Sequence, residues 1–150
     1  MITDKGEIIL EQTLVLIKPD AYKAGHIGDI IKIYEQAGFR VVAMKLMQMT
    51  EAIAAKHYFE HIGRPYYEDL KSFMTSAPLV AMVLAGENVI AKVRELNGAT
   101  NPAKAAEGTI RKLYATDGSK NAVHASDSPE SAKREISIFF SALEIFSDEK

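Results

Sequence analysis

From Leu79 to Ala85 the chain runs Leu-Val-Ala-Met-Val-Leu-Ala without one polar residue, and Gly86 closes the run. So short a stretch, with no alternation, has no face to offer water, and it reads as a central strand covered on both sides. A sheet with such a strand must carry helices on its faces. Thr13-Leu14-Val15-Leu16-Ile17 is a second buried strand, stopped by Lys18-Pro19-Asp20, which predicts a polar loop with Lys18 at the strand end. A third strand is expected over about residues 40–47.

Helical signals fall between these runs. Ile27, Ile30, Ile31 and Tyr34 stand at i, i+3, i+4 and i+7 and make one apolar face that ends at Gly38. Thr50 is placed to cap a helix with Ala52, Ala55, Phe59 and Ile62 on one stripe, ended by Gly63 and Arg64-Pro65. Tyr66, Tyr67 and Leu70 open another short helix. Asn88 is the expected cap of a helix burying Val89, Val93 and Leu96, and Gly98 suits its C-terminal turn. Residues 99–108 read as a long loop leading to Arg111. Ser128-Pro129 starts the last helix, with Ala132, Ile136, Phe139, Phe140 and Leu143 inward. Strands alternating with helices give an α/β sandwich. With 150 residues and 47% hydrophobic content, a single domain over 1–150 is expected.

Composition removes several chemistries. There is no cysteine, so disulfides, thiolate ligands and cysteine nucleophiles are absent, which is compatible with a reducing cytoplasm. A formal charge of -2 argues against a dedicated nucleic-acid binder. Met1 to Gly6 carries no apolar signal core, and the longest apolar run, interrupted by Pro78, cannot span a bilayer; the chain reads as soluble and cytoplasmic.

Chemistry concentrates in Asn121-Ala122-Val123-His124-Ala125-Ser126-Asp127-Ser128, where a histidine ends a short apolar run and capping residues follow at once. Imidazole keeps a neutral, nucleophilic fraction near pH 7, so this layout offers a nucleophile where a strand gives way to a helix. Glu135 lies seven residues past the cap, about 10 Å along the helix axis, and is positioned to face back and orient the ring. Ser126 is placed to bond that carboxylate. Neither a Walker loop nor a G-x-G-x-x-G turn is present, so a phosphate site would be assembled from dispersed groups: Lys18, Arg94, Thr100 and Arg111. Tyr66 and Tyr67 either plug the core or stack on a nucleobase. A rival motif is His57-Tyr58-Phe59-Glu60-His61, which fits H-x-x-E-H, with two histidines four apart on one helix face as zinc ligands.

Taken together, Thr-Leu-Val-Leu-Ile-Lys-Pro-Asp at 13–20, Arg64-Pro65-Tyr66-Tyr67, Thr100-Asn101-Pro102, Gly108-Thr109-Ile110-Arg111 and the segment 121–128 closely resemble the nucleoside diphosphate kinase family, in order and over nearly the whole chain. The resemblance implies a ferredoxin-like βαββαβ core with a four-stranded antiparallel sheet covered by helices. It implies a ping-pong exchange in which His124 takes the γ-phosphoryl group of a nucleoside triphosphate and passes it to a nucleoside diphosphate. Carried over by position, Lys18 bonds phosphate and the sugar, Tyr58 lies beside His124, and Asn121 bonds the ribose. Arg94, Thr100 and Arg111 hold phosphates, Tyr66 and Leu70 meet the base, and Ser126 and Glu135 position the nucleophile. The resemblance further implies that Mg2+ arrives on the nucleotide rather than in a dedicated protein site, and that the chain is a homo-oligomer, tetramer or hexamer, with the Pro102 loop near some subunit contacts.

Three positions depart from the family pattern. Ala125 stands where glycine is usual, Tyr66 where phenylalanine is usual, and Gly118 replaces an apolar residue beside the base. None removes a group that phosphoryl transfer requires. Two other functions stand beside this one: a zinc-dependent hydrolase using His57, Glu60 and His61, and a noncatalytic ferredoxin-like interaction module.

Overall fold

The computed structural model describes residues 10–146. The elements, in chain order, are β1 Glu11–Ile17, α1 Pro19–Lys23, α2 Ile27–Gln36, β2 Arg40–Met47, α3 Glu51–His57, α4 Tyr67–Met74, β3 Leu79–Gly86, α5 Val89–Asn97, α6 Ile110–Tyr114, β4 Val123–Ala125 and α7 Pro129–Phe139. The strands form one antiparallel sheet in the order β2-β3-β1-β4. Extracting β1-α2-β2-β3-α5-β4 gives the ferredoxin-like βαββαβ arrangement.

Strand β3 is buried at every position, as its unbroken apolar sequence requires. Its period of two sorts side chains onto two faces. Leu79, Ala81, Val83 and Ala85 join Leu14, Leu16, Ala54, Tyr58, Met74 and Phe139 on the side of α3, α4 and α7. Val80, Met82 and Leu84 join Val15, Ile17, Ile30, Tyr34, Val89 and Val93 on the side of α2 and α5. Each large aliphatic side chain so buried contributes roughly 1.5–3 kcal/mol before chain entropy is charged against it. The same alternation governs β4. Val123 and Ala125 belong to the α2/α5 layer, so His124 between them, paired with Leu16, turns toward α3 and α7.

Helix α2 follows the expected stripe, with Ile30 and Tyr34 fully buried. Other expectations need correction. The polar loop after β1 is the short helix α1, begun by Pro19 at its first position, where the missing N–H costs nothing. Thr50 does cap α3 by accepting from the Ile53 N–H, but the buried face is Ala54, His57 and Tyr58, and Phe59 and Ile62 are exposed. The reason is that regular α-helix stops at His57 and tightens into a 3-10 turn over Phe59–His61, which rotates the stripe. Asn88 adopts a left-handed conformation and caps nothing with its side chain; instead the Glu11 carboxylate accepts from the Ile90 N–H at 2.9 Å. Leu143 lies past the end of α7 in another 3-10 turn and is 92% exposed. No helix among the described residues is long and apolar enough to cross a membrane; Met1 to Gly6 lies outside them.

Candidate active site

His124 sits on a three-residue strand at the edge of the sheet, its side chain one quarter exposed. Its Nε2 lies 2.7 Å from Oε1 of Glu135, which α7 buries against the strand. A carboxylate only accepts hydrogen bonds, so Nε2 is the nitrogen that carries hydrogen and Nδ1 keeps the free lone pair. Ser126 Oγ donates to the same Oε1 at 3.1 Å and accepts from the Leu14 N–H at 3.2 Å, tying the carboxylate to β1. Arg134 approaches the other oxygen at 3.6 Å and donates to the Lys56 carbonyl.

The backbone before His124 is held by side chains. Ala122 takes φ 72°, the left-handed region that costs an alanine about 1 kcal/mol. Its N–H donates to Asp20 Oδ2 at 3.0 Å and its carbonyl accepts from the Lys18 N–H at 2.8 Å, so the turn is fixed from both sides. Lys18 is buried, and its Nζ donates to Asn121 Oδ1 at 2.8 Å. Burial first, then the nearby Arg111 charge, lowers the Lys18 pKa to about 8, with Asp20 pulling the other way. Asn121 also donates to the carbonyls of Gly118 and Thr100 and so joins three loops. Arg111 donates to the carbonyls of Gly98 and Val123, both at 2.8 Å, and burial lowers its pKa.

A cavity of about 850 Å³ opens in front of His124. Of the eleven site residues expected from sequence, nine line it: Lys18, Tyr66, Leu70, Arg94, Thr100, Arg111, Asn121, His124 and Glu135. Three are cations gathered from a strand end and two helices, and Asp69, Asp117, Asp127 and Glu135 share the lining with them. Ser126 and Tyr58 lie behind the lining rather than in it. Tyr58 is buried with its ring 4.5 Å from that of His57, and burial raises its pKa, followed by the Glu135 and Tyr67 charges.

Sequence reasoning missed several members. His61 lines the cavity, and its Nδ1 meets the Tyr66 hydroxyl at 2.5 Å, so the hydroxyl that distinguishes Tyr66 is engaged by a side chain of the cavity wall. Asp127 stands at the rim; the Ser131 hydroxyl and then the Arg94 charge lower its pKa. Asp20 supports the turn at Ala122. No periodicity links these positions, and only the fold joins them.

The H-x-x-E-H reading fails on geometry. Because the helix ends at His57, that residue turns inward, Glu60 stays exposed, and His61 faces the cavity, so the three do not converge. His57 instead packs edge-on against His124, with ring centroids 4.7 Å apart and planes at 85°. Burial first, then the His124 charge, pushes the His57 pKa far down, so this imidazole is neutral.

Comparison with known proteins gives the same direction. The sequence pattern of the nucleoside diphosphate kinase family matches residues 11–145. A nucleoside diphosphate kinase of Carboxydothermus hydrogenoformans is 50% identical over 141 residues, 94% of this chain and 95% of that one. One from Persephonella marina is 53% identical over 136 residues, 91% and 97% of the two chains. Among solved structures, the Aquifex aeolicus nucleoside diphosphate kinase superposes with a TM-score of 0.88 at 45% identity, covering 91% of this chain and 99% of that one. A halophilic nucleoside diphosphate kinase from Halobacterium salinarum, solved in complex with CDP, gives 0.90 at 40% identity, with 95% of each chain covered.

Proposed function

The chain belongs to the nucleoside diphosphate kinase family, phosphotransferases acting between nucleoside tri- and diphosphates, and we propose that His124 is its phosphoryl acceptor, through Nδ1. The observation that carries this is the 2.7 Å contact of Nε2 with Glu135, which leaves Nδ1 unprotonated at a cavity flanked by Lys18, Arg94 and Arg111.

In the first half-reaction Nδ1 attacks the γ-phosphorus of a nucleoside triphosphate, the bond to the β-γ bridging oxygen breaks, and the diphosphate leaves. The ring becomes positively charged as the phosphorus-nitrogen bond forms, and Glu135, fixed by Ser126, is already aimed at it. The second half-reaction reverses these events with a different diphosphate, so one nucleotide site serves both. Lys18, Arg94 and Arg111 offset the charge of the transferring group, Thr100 adds a hydroxyl, and Asn121 is available to the sugar. Tyr66 and Leu70 supply an apolar wall for the base; a stacking ring accepts any base, which suits a generalist.

Mg2+ would be held by the phosphate oxygens of the nucleotide. The donor set fits this: Mg2+ prefers oxygen ligands, and although Asp127 lines the cavity, no three carboxylates there converge among the described residues. The chemistry of the ion there would be to offset charge developing on the phosphate oxygens, alongside Lys18, Arg94 and Arg111.

We further read the chain as a homo-oligomer. Met44 and Leu46 on the edge strand β2 are more than half exposed, and the segment after α7 runs beside them, with Phe146 N–H donating to the Val42 carbonyl. An apolar sheet edge of this kind suits a second copy. The absence of cysteine and the nucleotide substrates support a cytoplasmic setting.

Incubation with γ-labelled ATP tests the mechanism. The expected result is an acid-labile, base-stable label on His124 that chases onto GDP. Label that persists in His124→Ala, or that does not chase, overturns it.

A further inference from the structure

Behind His124 lies a buried imidazole, His57, that the phosphotransfer does not use. His57 is 5% exposed, and neither of its ring nitrogens has a hydrogen-bond partner among the described residues. A buried imidazole in that condition is unusual, since buried polar atoms nearly always bond to protein or ordered water, and an ion is one of the few other ways to satisfy them. The ligand atoms of His57, His124 and Glu135 all lie within 4.8 Å of one another. The set comes from three elements: the end of α3, strand β4 and helix α7.

We propose that these three side chains form an inhibitory site for zinc or a similar borderline transition ion, entered from the nucleotide cavity. This inference rests on His124 being the phosphoryl acceptor. Two imidazoles and a carboxylate are a ligand set that zinc accepts, whereas Mg2+, which requires oxygen, is excluded by it. Zinc bonds of about 2.0–2.2 Å put tetrahedral ligand atoms roughly 3.3 Å apart. The 2.7 Å spacing of His124 Nε2 and Glu135 Oε1 therefore opens slightly, and His57 closes by up to about 1.5 Å toward them. His124 and Glu135 both line the cavity, which gives the ion a route to the site.

Inhibition follows from proton placement. In the resting enzyme Nε2 holds the hydrogen and Nδ1 the lone pair. Zinc takes the Nε2 lone pair, so the single proton of the neutral ring moves to Nδ1 with no net release. The nitrogen that attacks phosphorus is then an N–H group and has nothing to donate. Removing the metal restores the original tautomer, so the block is reversible.

The test uses the intact, nucleotide-free enzyme titrated with Zn2+ alone, and with Co2+ as a visible probe of coordination. The expected result is one tightly held ion per chain, cobalt bands of four-coordinate intensity, and at least a tenfold loss of single-turnover label transfer to His124, reversed by chelator. His57→Gln should weaken zinc binding at least tenfold, as loss of a ligand does. If that variant does not fold, the wild-type cobalt spectrum decides alone, and octahedral bands or none overturn the site. Zinc that binds without slowing label transfer, or with the same affinity in folded His57→Gln, also overturns it. Phosphotransfer without zinc reports on His124 separately, so failure of one reading is distinguishable from failure of the other.

Discussion

Glu135→Gln isolates the charge behind His124, the proposed phosphoryl acceptor. The substitution keeps shape and volume, and the amide oxygen still accepts from His124 Nε2 or from Ser126, which in the wild type meet one oxygen at 2.7 and 3.1 Å. What disappears is the negative charge facing a ring that becomes cationic as phosphorus is transferred. A hydrogen bond to a charged group contributes about 1.5–3 kcal/mol and a neutral one about 0.5–1.5 kcal/mol, so the expected loss is about 1–2 kcal/mol. At about 1.4 kcal/mol per tenfold, that is roughly a 5- to 30-fold fall in the rate of phosphoryl uptake. Because the interaction strengthens only as charge develops, the loss should fall on kcat, with nucleotide KM nearly unchanged. Rapid-quench measurement of His124 labelling from γ-labelled ATP gives the rate directly. A variant within twofold of wild type, or a loss wholly in KM, would refute the assignment of charge stabilisation to Glu135.

Lys18 predicts a pH limb. With its pKa lowered to about 8, the free enzyme loses this ammonium as pH rises through 8, so kcat/KM for the diphosphate should fall there, and the limb should be missing in Lys18→Met. The stability effect has the opposite sign. Between about pH 8 and 10.5 the unfolded chain binds more protons than the folded one, so denaturant stability should rise by an amount on the order of 3 kcal/mol at most from this group, and a flat profile would contradict the burial argument. Gly98→Ala should destabilise by more than about 2 kcal/mol, because a Cβ at φ +86° would stand 2.6 Å from the Thr109 hydroxyl that caps α6. A chemical-denaturation midpoint equal to wild type would show that the turn relaxes instead. Ala125→Gly, which restores the family's usual residue, removes a methyl group buried in the α2/α5 layer, so about 1 kcal/mol of stability should be lost while His124 labelling stays within twofold. A larger rate change would mean that the methyl touches the chemistry.

The sheet was legible because uninterrupted apolar runs and period-two alternation are direct consequences of burial on two faces. Helix α2 was legible for the same reason, through its Ile30 and Tyr34 stripe. The residues of the site were legible mainly through their order and spacing as a family pattern. Lys18 and Asn121 are 103 positions apart, and no local rule brings them to 2.8 Å. What misled was continuity: placing His57 and His61 on one face assumed a regular helix through Phe59, and the change to a 3-10 turn sends one imidazole into the core and the other to the cavity. Tyr66 shows another limit. Its extra hydroxyl was visible in the sequence, but its partner, His61, depends on a turn whose geometry the residues between them do not announce.

The strand that bears His124 has three residues and, among the described strands, pairs only with β1. Its outer carbonyl at Val123 accepts from Arg111, a guanidinium that also lines the cavity. Order in this edge is therefore lent by side chains, and a ligand that draws on Arg111 draws on the same group that steadies the backbone beside His124. Occupancy and stiffness become linked quantities: amide exchange around Val123 should report whether a nucleotide is bound, even though no element of the fold has to move.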